Sequence, residues 1–247
     1  MRPKRMPEFS ATQYQRKSRQ FWMPQNNTSE KPAMVRDYEN LAKLFYSGAT
    51  FVVFDTETTG LEPTRDYLTE IGAVKFNCRK EIESFDQLIK PPVPIPHFLE
   101  QLTHITNEMV ADCPDASTVL DDFLSFIGMD SILIAHNAPF DLGFLNAQMA
   151  RMGRSIIHNR TIDSLPFARW VHPEFRSDTE KGPYKLQTLA KRFSIKVLSA
   201  HRADDDARVL KELFLRLLSD SIPRQKNFDP SIIPRPEDEL QLELDLF

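Results

Sequence analysis

The run Phe51-Val52-Val53-Phe54-Asp55-Thr56-Glu57-Thr58-Thr59-Gly60 constrains this chain more than any other stretch. Its apolar half predicts a buried strand, and Gly60 marks a turn just beyond the two acids. Side chains alternate along a strand, so Phe51, Val53, Asp55 and Glu57 share one face. Two carboxylates about 7 Å apart on one face repel each other unless a cation lies between them. No basic residue lies within the run. A divalent metal held by oxygen ligands answers the repulsion. The plainer alternative is a strand end that has reached water, where both acids are solvated.

Composition narrows the setting. At 247 residues, 41% hydrophobic and 10% aromatic, the chain can build one sizeable core with tails on either side. No apolar run is long enough to span a membrane, and the N-terminus lacks the apolar segment of a signal peptide. Cys78 and Cys113 form no metal-type spacing, so a reducing cytoplasmic setting is expected. The net charge of −4 is unevenly spread: residues 1–48 hold nine Lys/Arg against four Asp/Glu, and residues 49–220 hold 19 against 25. An acidic middle does not grip duplex DNA by bulk charge. If this chain handles nucleic acid, metals on a carboxylate cluster and a few local basic residues must receive the phosphates.

Residues 1–36, basic and interrupted by prolines, read as a disordered arm; a mitochondrial targeting peptide is the competing reading, which Glu8 and the prolines oppose. Order is expected from about Asp37, with a helix over 38–46. Strands are predicted at 51–57, 68–76 and 82–89, with links short enough for an antiparallel meander. Helices are predicted over 98–110 and 116–127, a central strand at 131–135, a helix from Asp141 to Arg151 and a short strand at 160–163. Residues 172–183 read as a loop, followed by helices over 185–193 and 203–219. This order predicts an α/β domain over 37–220: a mixed sheet of about five strands, three antiparallel and then parallel, with helices on both faces.

Two further acids resist a surface reading. Asp141, in Ala135-His136-Asn137-Ala138-Pro139-Phe140-Asp141, opens a helix just after a buried strand. An acid satisfying free N–H groups at a helix start is the common explanation. In His201-Arg202-Ala203-Asp204-Asp205-Asp206-Ala207, helix spacing puts Asp206 on the stripe of Ala203, Ala207, Leu210, Phe214 and Leu217. The same spacing turns Asp205 to the opposite side and leaves Asp204 on the flank. A carboxylate on a core face needs a cation, and no Lys or Arg shares that face nearby.

These three motifs, in this order, resemble those of the DEDDh 3′–5′ exonucleases over about residues 49–218. The resemblance implies a ribonuclease H-like fold and two Mg²⁺ or Mn²⁺ ions held by Asp55, Glu57, Asp141 and Asp206. It implies Asp55 as the bridging ligand, with Glu57 and Asp206 on the nucleophile side and Asp141 acting partly through water. His201 would be the general base, and the products nucleoside 5′-monophosphates released from a 3′ end. Thr56, Thr58, Leu61 and His104 match positions around the terminal nucleotide; a surface histidine is the alternative for His104. Asp204 and Asp205 depart from the pattern, and are expected to raise the pKa of His201 slightly or to have no effect.

Residues 221–247 read as a proline-rich tether ending in Gln241-Leu242-Glu243-Leu244-Asp245-Leu246-Phe247. This ending resembles the peptides that dock on the bacterial β sliding clamp, with Leu244, Leu246 and Phe247 in an apolar pocket and Gln241 at its rim. An edge strand with alternating leucines is the other reading. The tail makes the chain most similar to the epsilon-type proofreading branch of the family, acting on DNA 3′ ends beside a replicative polymerase. A standalone exonuclease on RNA or single-stranded repair DNA is the second expectation, and a non-catalytic replisome adaptor the third.

Overall fold

The computed structural model describes residues 31–177, 181–226 and 228–233. Five strands, β1 (Phe51–Thr58), β2 (Leu68–Phe76), β3 (Glu81–Leu88), β4 (Ile132–Ala135) and β5 (Thr161–Asp163), form one sheet in the order β3-β2-β1-β4-β5. β1 pairs antiparallel with β2 and parallel with β4; β2–β3 is antiparallel and β4–β5 parallel. The expected three-plus-two mixed sheet is therefore present.

Among the described residues the α-helices are α1 (Leu41–Tyr46), α2 (His97–Thr103), α3 (Asn107–Val110), α4 (Ala116–Ile127), α5 (Pro139–Arg151), α6 (Ser164–Val171), α7 (Leu186–Arg192) and α8 (Ala203–Ser221). They cover both sheet faces. Phe51 and Val53 pack with Phe45 of α1, Phe167 of α6 and Leu210, Phe214 and Leu217 of α8. Val52 and Phe54 face the other way, against Val119, Leu120 and Phe123 of α4 and Leu142 and Leu145 of α5. Apolar residues on both sides of one strand give the unbroken hydrophobic run of a central strand.

Several elements depart from expectation. The helix expected over 98–110 is two helices, because His104 caps α2 in the left-handed conformation at φ 60°. Asn107 then pins the turn, its Oδ1 accepting from Ile95 N at 2.8 Å and its Nδ2 donating to Ile95 O at 3.0 Å. α6 lies where Pro166 obscures helical spacing; within the first helical turn the missing N–H costs no internal bond. The folded chain also reaches past both expected boundaries. Val35 N donates to Thr161 O and Thr161 N to Ala33 O, both at 2.8 Å, so residues 33–35 cover the β5 edge. Gln225 accepts from Ala42 N and donates to Tyr38 O, both at 3.0 Å, holding the segment after α8 against α1.

Candidate active site

β1 is the strand at which the sheet changes from antiparallel to parallel pairing, and its C-terminal end opens beside that of β4. In open α/β sheets, ligands bind outside the strand C-termini at such a point. Asp55 and Glu57 project there, on the face that α8 covers. Asp55 lies opposite Gly72 of β2, and Glu57 opposite Glu70.

The two remaining acids arrive from opposite sides of the sheet. Asp141, in the first turn of α5, comes from the face of Val52 and Phe54; Asp206, in the first turn of α8, comes from the face of Phe51 and Val53. Both are buried, at 3% and 6% exposure, so neither is a solvated surface acid. Asp141 Oδ1 accepts from Thr56 N at 3.1 Å and Thr56 Oγ1 at 2.8 Å. Asp206 Oδ1 accepts from Gln187 Nε2 of α7 at 2.7 Å, and its Oδ2 from His201 N at 3.1 Å. One donor atom each of Glu57, His201 and Asp206 lies within 4.8 Å of the others.

The electrostatics are those of an uncompensated cluster. Burial first, and then the charges of Asp141, Glu57 and Asp206, hold the Asp55 carboxyl well above its ordinary range. Glu57 is raised in the same way, by burial and then by Asp206, Glu70 and Asp141, with Arg202 opposing. Burial pushes Asp141 up to about 7 and Asp206 up to about 6. A hard divalent cation replaces the protons that such a cluster otherwise retains, so the donor set fits Mg²⁺-type ions.

His201 sits just before α8 at φ 65°. Burial and then the charge of His104 lower its pKa, which keeps the imidazole neutral and able to accept a proton at neutral pH. Asp204 and Asp205 have no part in this shift, the second of the two outcomes expected of them. Asp205 is also not turned away from the protein: it is buried, and its Oδ2 accepts from Leu198 N at 2.8 Å and Ser199 N at 2.7 Å. A helical wheel places a side chain relative to its own helix, whereas an acid in the first turn can reach back to the loop before it.

Of the positions expected at the nucleotide, Thr56 directs its hydroxyl to Asp141, and Thr58 donates to Gly60 O at 2.6 Å, bracing the turn that carries half-buried Leu61. His104 is exposed and lies within electrostatic reach of His201. Gln241, Leu244, Leu246 and Phe247 lie outside the described residues.

Sequence reasoning did not single out Gln187, Asp163 or His136. Asp163 Oδ1 accepts from Asn137 N at 2.9 Å and Leu165 N at 3.0 Å, fixing the loop into α5. His136 Nε2 faces Tyr184 O at 2.8 Å and must donate to it, so Nδ1 accepts from Ser164 Oγ at 2.8 Å. Burial lowers this histidine to about 4, keeping it neutral. The short strand at 160–163 and the His-Asn pair before Asp141 were the only available signals.

A mixed sheet with buried acids converging beside a neutral imidazole at its switch point defines a divalent-metal-dependent nuclease. Comparison with known proteins specifies the family. The model of the exonuclease family RNase_T matches residues 52–214. The DNA polymerase III subunit epsilon of Treponema pallidum (strain Nichols) is 39% identical over 169 residues, 68% of this chain and 76% of that protein. The PolC-type DNA polymerase III of Caldanaerobacter subterraneus subsp. tengcongensis is 39% identical over 168 residues, but the match spans only 11% of its length. The solved structure of Exonuclease X in complex with 5′ overhanging duplex DNA superposes with a TM-score of 0.53 at 26% identity, covering 69% of this chain and 92% of that one. This chain belongs to the RNase_T exonuclease family and is a hydrolytic exonuclease with a ribonuclease H-like fold.

Proposed function

We propose that the chain is a DEDDh-type 3′–5′ exonuclease that releases nucleoside 5′-monophosphates from DNA 3′ ends, serving as an epsilon-type proofreading subunit in the bacterial cytoplasm. The observation that carries this reading is the convergence of Glu57, His201 and Asp206 within 4.8 Å, with Asp55 and Asp141 at its border. Asp55, Glu57, Asp141 and Asp206 would hold two Mg²⁺ or Mn²⁺ ions. When bound, such a pair stabilises charge on the attacking and leaving oxygens of an in-line displacement. His201 takes one proton as water attacks phosphorus, the bond to the 3′ oxygen breaks, and the departing oxygen acquires a proton from solvent. Thr56 fixes Asp141 throughout, and Gln187 fixes Asp206. Thr58, Leu61 and His104 border the terminal nucleotide.

Asp55→Ala and Asp206→Ala are each expected to abolish metal-dependent nucleotide release while the circular dichroism spectrum is retained. Wild-type release by either variant refutes the reading. The second reading is a standalone exonuclease acting on RNA or single-stranded repair DNA. Turnover on a mismatched DNA primer terminus, compared with a matched duplex and an oligoribonucleotide, separates proofreading from general 3′ trimming.

The C-terminal residues complete the proposal. Gln241, Leu244, Leu246 and Phe247 dock on the β sliding clamp as an extended peptide, apolar side chains in a pocket and the glutamine at its rim. A replicative polymerase is the further partner. Deleting residues 241–247 should remove clamp binding and leave hydrolysis of short oligonucleotides unchanged; unaltered clamp affinity rejects this assignment.

A further inference from the structure

Glu70 is fully buried on β2, directly across from Glu57, where a further carboxylate adds to the repulsion at Asp55 and Glu57. Its contacts lead to the start of α8. Glu70 Oε2 accepts from Ala203 N at 2.7 Å, and Oε1 accepts from Arg202 Nη2 at 2.6 Å and Arg202 Nε at 3.0 Å. Arg202 occupies the N-cap position of α8 and its own side chain caps nothing there, so a strand residue more than 130 positions away in sequence satisfies the helix's first free N–H. A Ser or Thr at position 202 would cap this helix without burying another acid beside the cluster. The strand-borne carboxylate provides something a local cap cannot: it ties α8 to the β1–β2 pair. His201, the residue before Arg202, holds a left-handed backbone and donates its N–H to Asp206.

We propose that Glu70, acting through Arg202 and Ala203, is a positioning residue that holds His201 and Asp206 against Glu57. This rests on the roles given above to His201 and Asp206. The two planar N–H bonds of the guanidinium fix direction as well as distance, which a lysine ammonium does not. Loss of the clamp leaves a folded protein whose base and acid no longer meet.

The test uses the full chain with Mg²⁺ and a short single-stranded oligonucleotide. Glu70→Gln and Arg202→Gln are each expected to lower kcat by about tenfold to a hundredfold, the effect of a displacement near 1 Å, with KM changed by less than about twofold. Because one clamp is being broken, the double variant should be no slower than the slower single variant. Arg202→Lys should recover only part of the rate. In the metal-free protein, amide exchange should rise over residues 198–206 of Glu70→Gln and stay unchanged in β1 and β4. Wild-type kcat in both single variants, or losses that multiply in the double variant, overturns the proposal. If Glu70→Gln does not fold, the kcat-against-KM split of Arg202→Gln and its recovery by Arg202→Lys decide. His201→Asn distinguishes the two levels: if it is inactive while Glu70→Gln and Arg202→Gln are fully active, the clamp alone falls; if it keeps wild-type rate, the base assignment falls.

Discussion

Thr56 gives both its backbone N–H, at 3.1 Å, and its hydroxyl, at 2.8 Å, to the same oxygen of Asp141. The strand carrying Asp55 and Glu57 thus also aims the acid that comes from the far face of the sheet. Thr56→Val keeps the β-branched shape and removes the hydroxyl bond. The expected result is a fall in kcat of about tenfold, since a net hydrogen bond to a charged group is worth about 1.5–3 kcal/mol and the backbone bond remains. An unchanged kcat would show that the backbone N–H suffices to orient Asp141.

Gln187 does for Asp206 what Thr56 does for Asp141, through a 2.7 Å bond from α7. Partners of metal-holding side chains typically affect metal affinity or activity by about 10–100-fold. Gln187→Ala should raise the Mg²⁺ concentration giving half-maximal rate by at least about tenfold. A Mg²⁺ titration superimposable on that of the wild type would count against any role for Gln187 in ordering Asp206.

The raised carboxyl pKa values have a defined consequence for stability. Between 3.8 and about 7 for Asp141, and between 3.8 and about 6 for Asp206, the folded carboxyl keeps a proton that the unfolded chain has lost. Stability then falls as pH rises, because the folded state binds more protons. In EDTA the contribution of these groups is destabilising across that window, and Mg²⁺ should restore stability most above pH 7. Differential scanning calorimetry from pH 4 to 8, with and without Mg²⁺, checks this. Asp141→Asn should flatten the pH dependence; equal slopes in variant and wild type would exclude Asp141 as a source.

The first residue of α8 lies directly over Gly72. A Cβ built there would lie 2.1 Å from the carbonyl carbon of Ala203, a backbone atom that cannot swing aside. Gly72→Ala should destabilise the fold by about 1–3 kcal/mol through overpacking, and lower the nuclease rate by displacing Asp206. A denaturant midpoint equal to that of the wild type would mean that the helix can lift without cost.

The buried strands and the antiparallel-then-parallel sheet were legible because Phe51–Phe54 and Ile132–Ala135 are unbroken apolar runs, while helices repeat at three and four. The break at His104 was not legible, since a left-handed cap on a non-glycine residue leaves no mark in hydrophobic spacing. The inward turn of Asp205 escaped for a related reason: its partners, Leu198 N and Ser199 N, are backbone groups of a loop with no periodicity to read.

The sequence by itself determined that Asp55 and Glu57 share a strand face and that Asp206 shares a helix face with core residues, because both follow from the fixed geometry of short segments. Only the tertiary structure decided that Asp141 and Asp206 reach that strand end from opposite sides of the sheet. It alone also decided that Thr56, Gln187 and Glu70 fix the acids and the imidazole in place. Those contacts join residues 19 to 133 positions apart, and no local period encodes a distance that arises only when the sheet closes between its two helical layers.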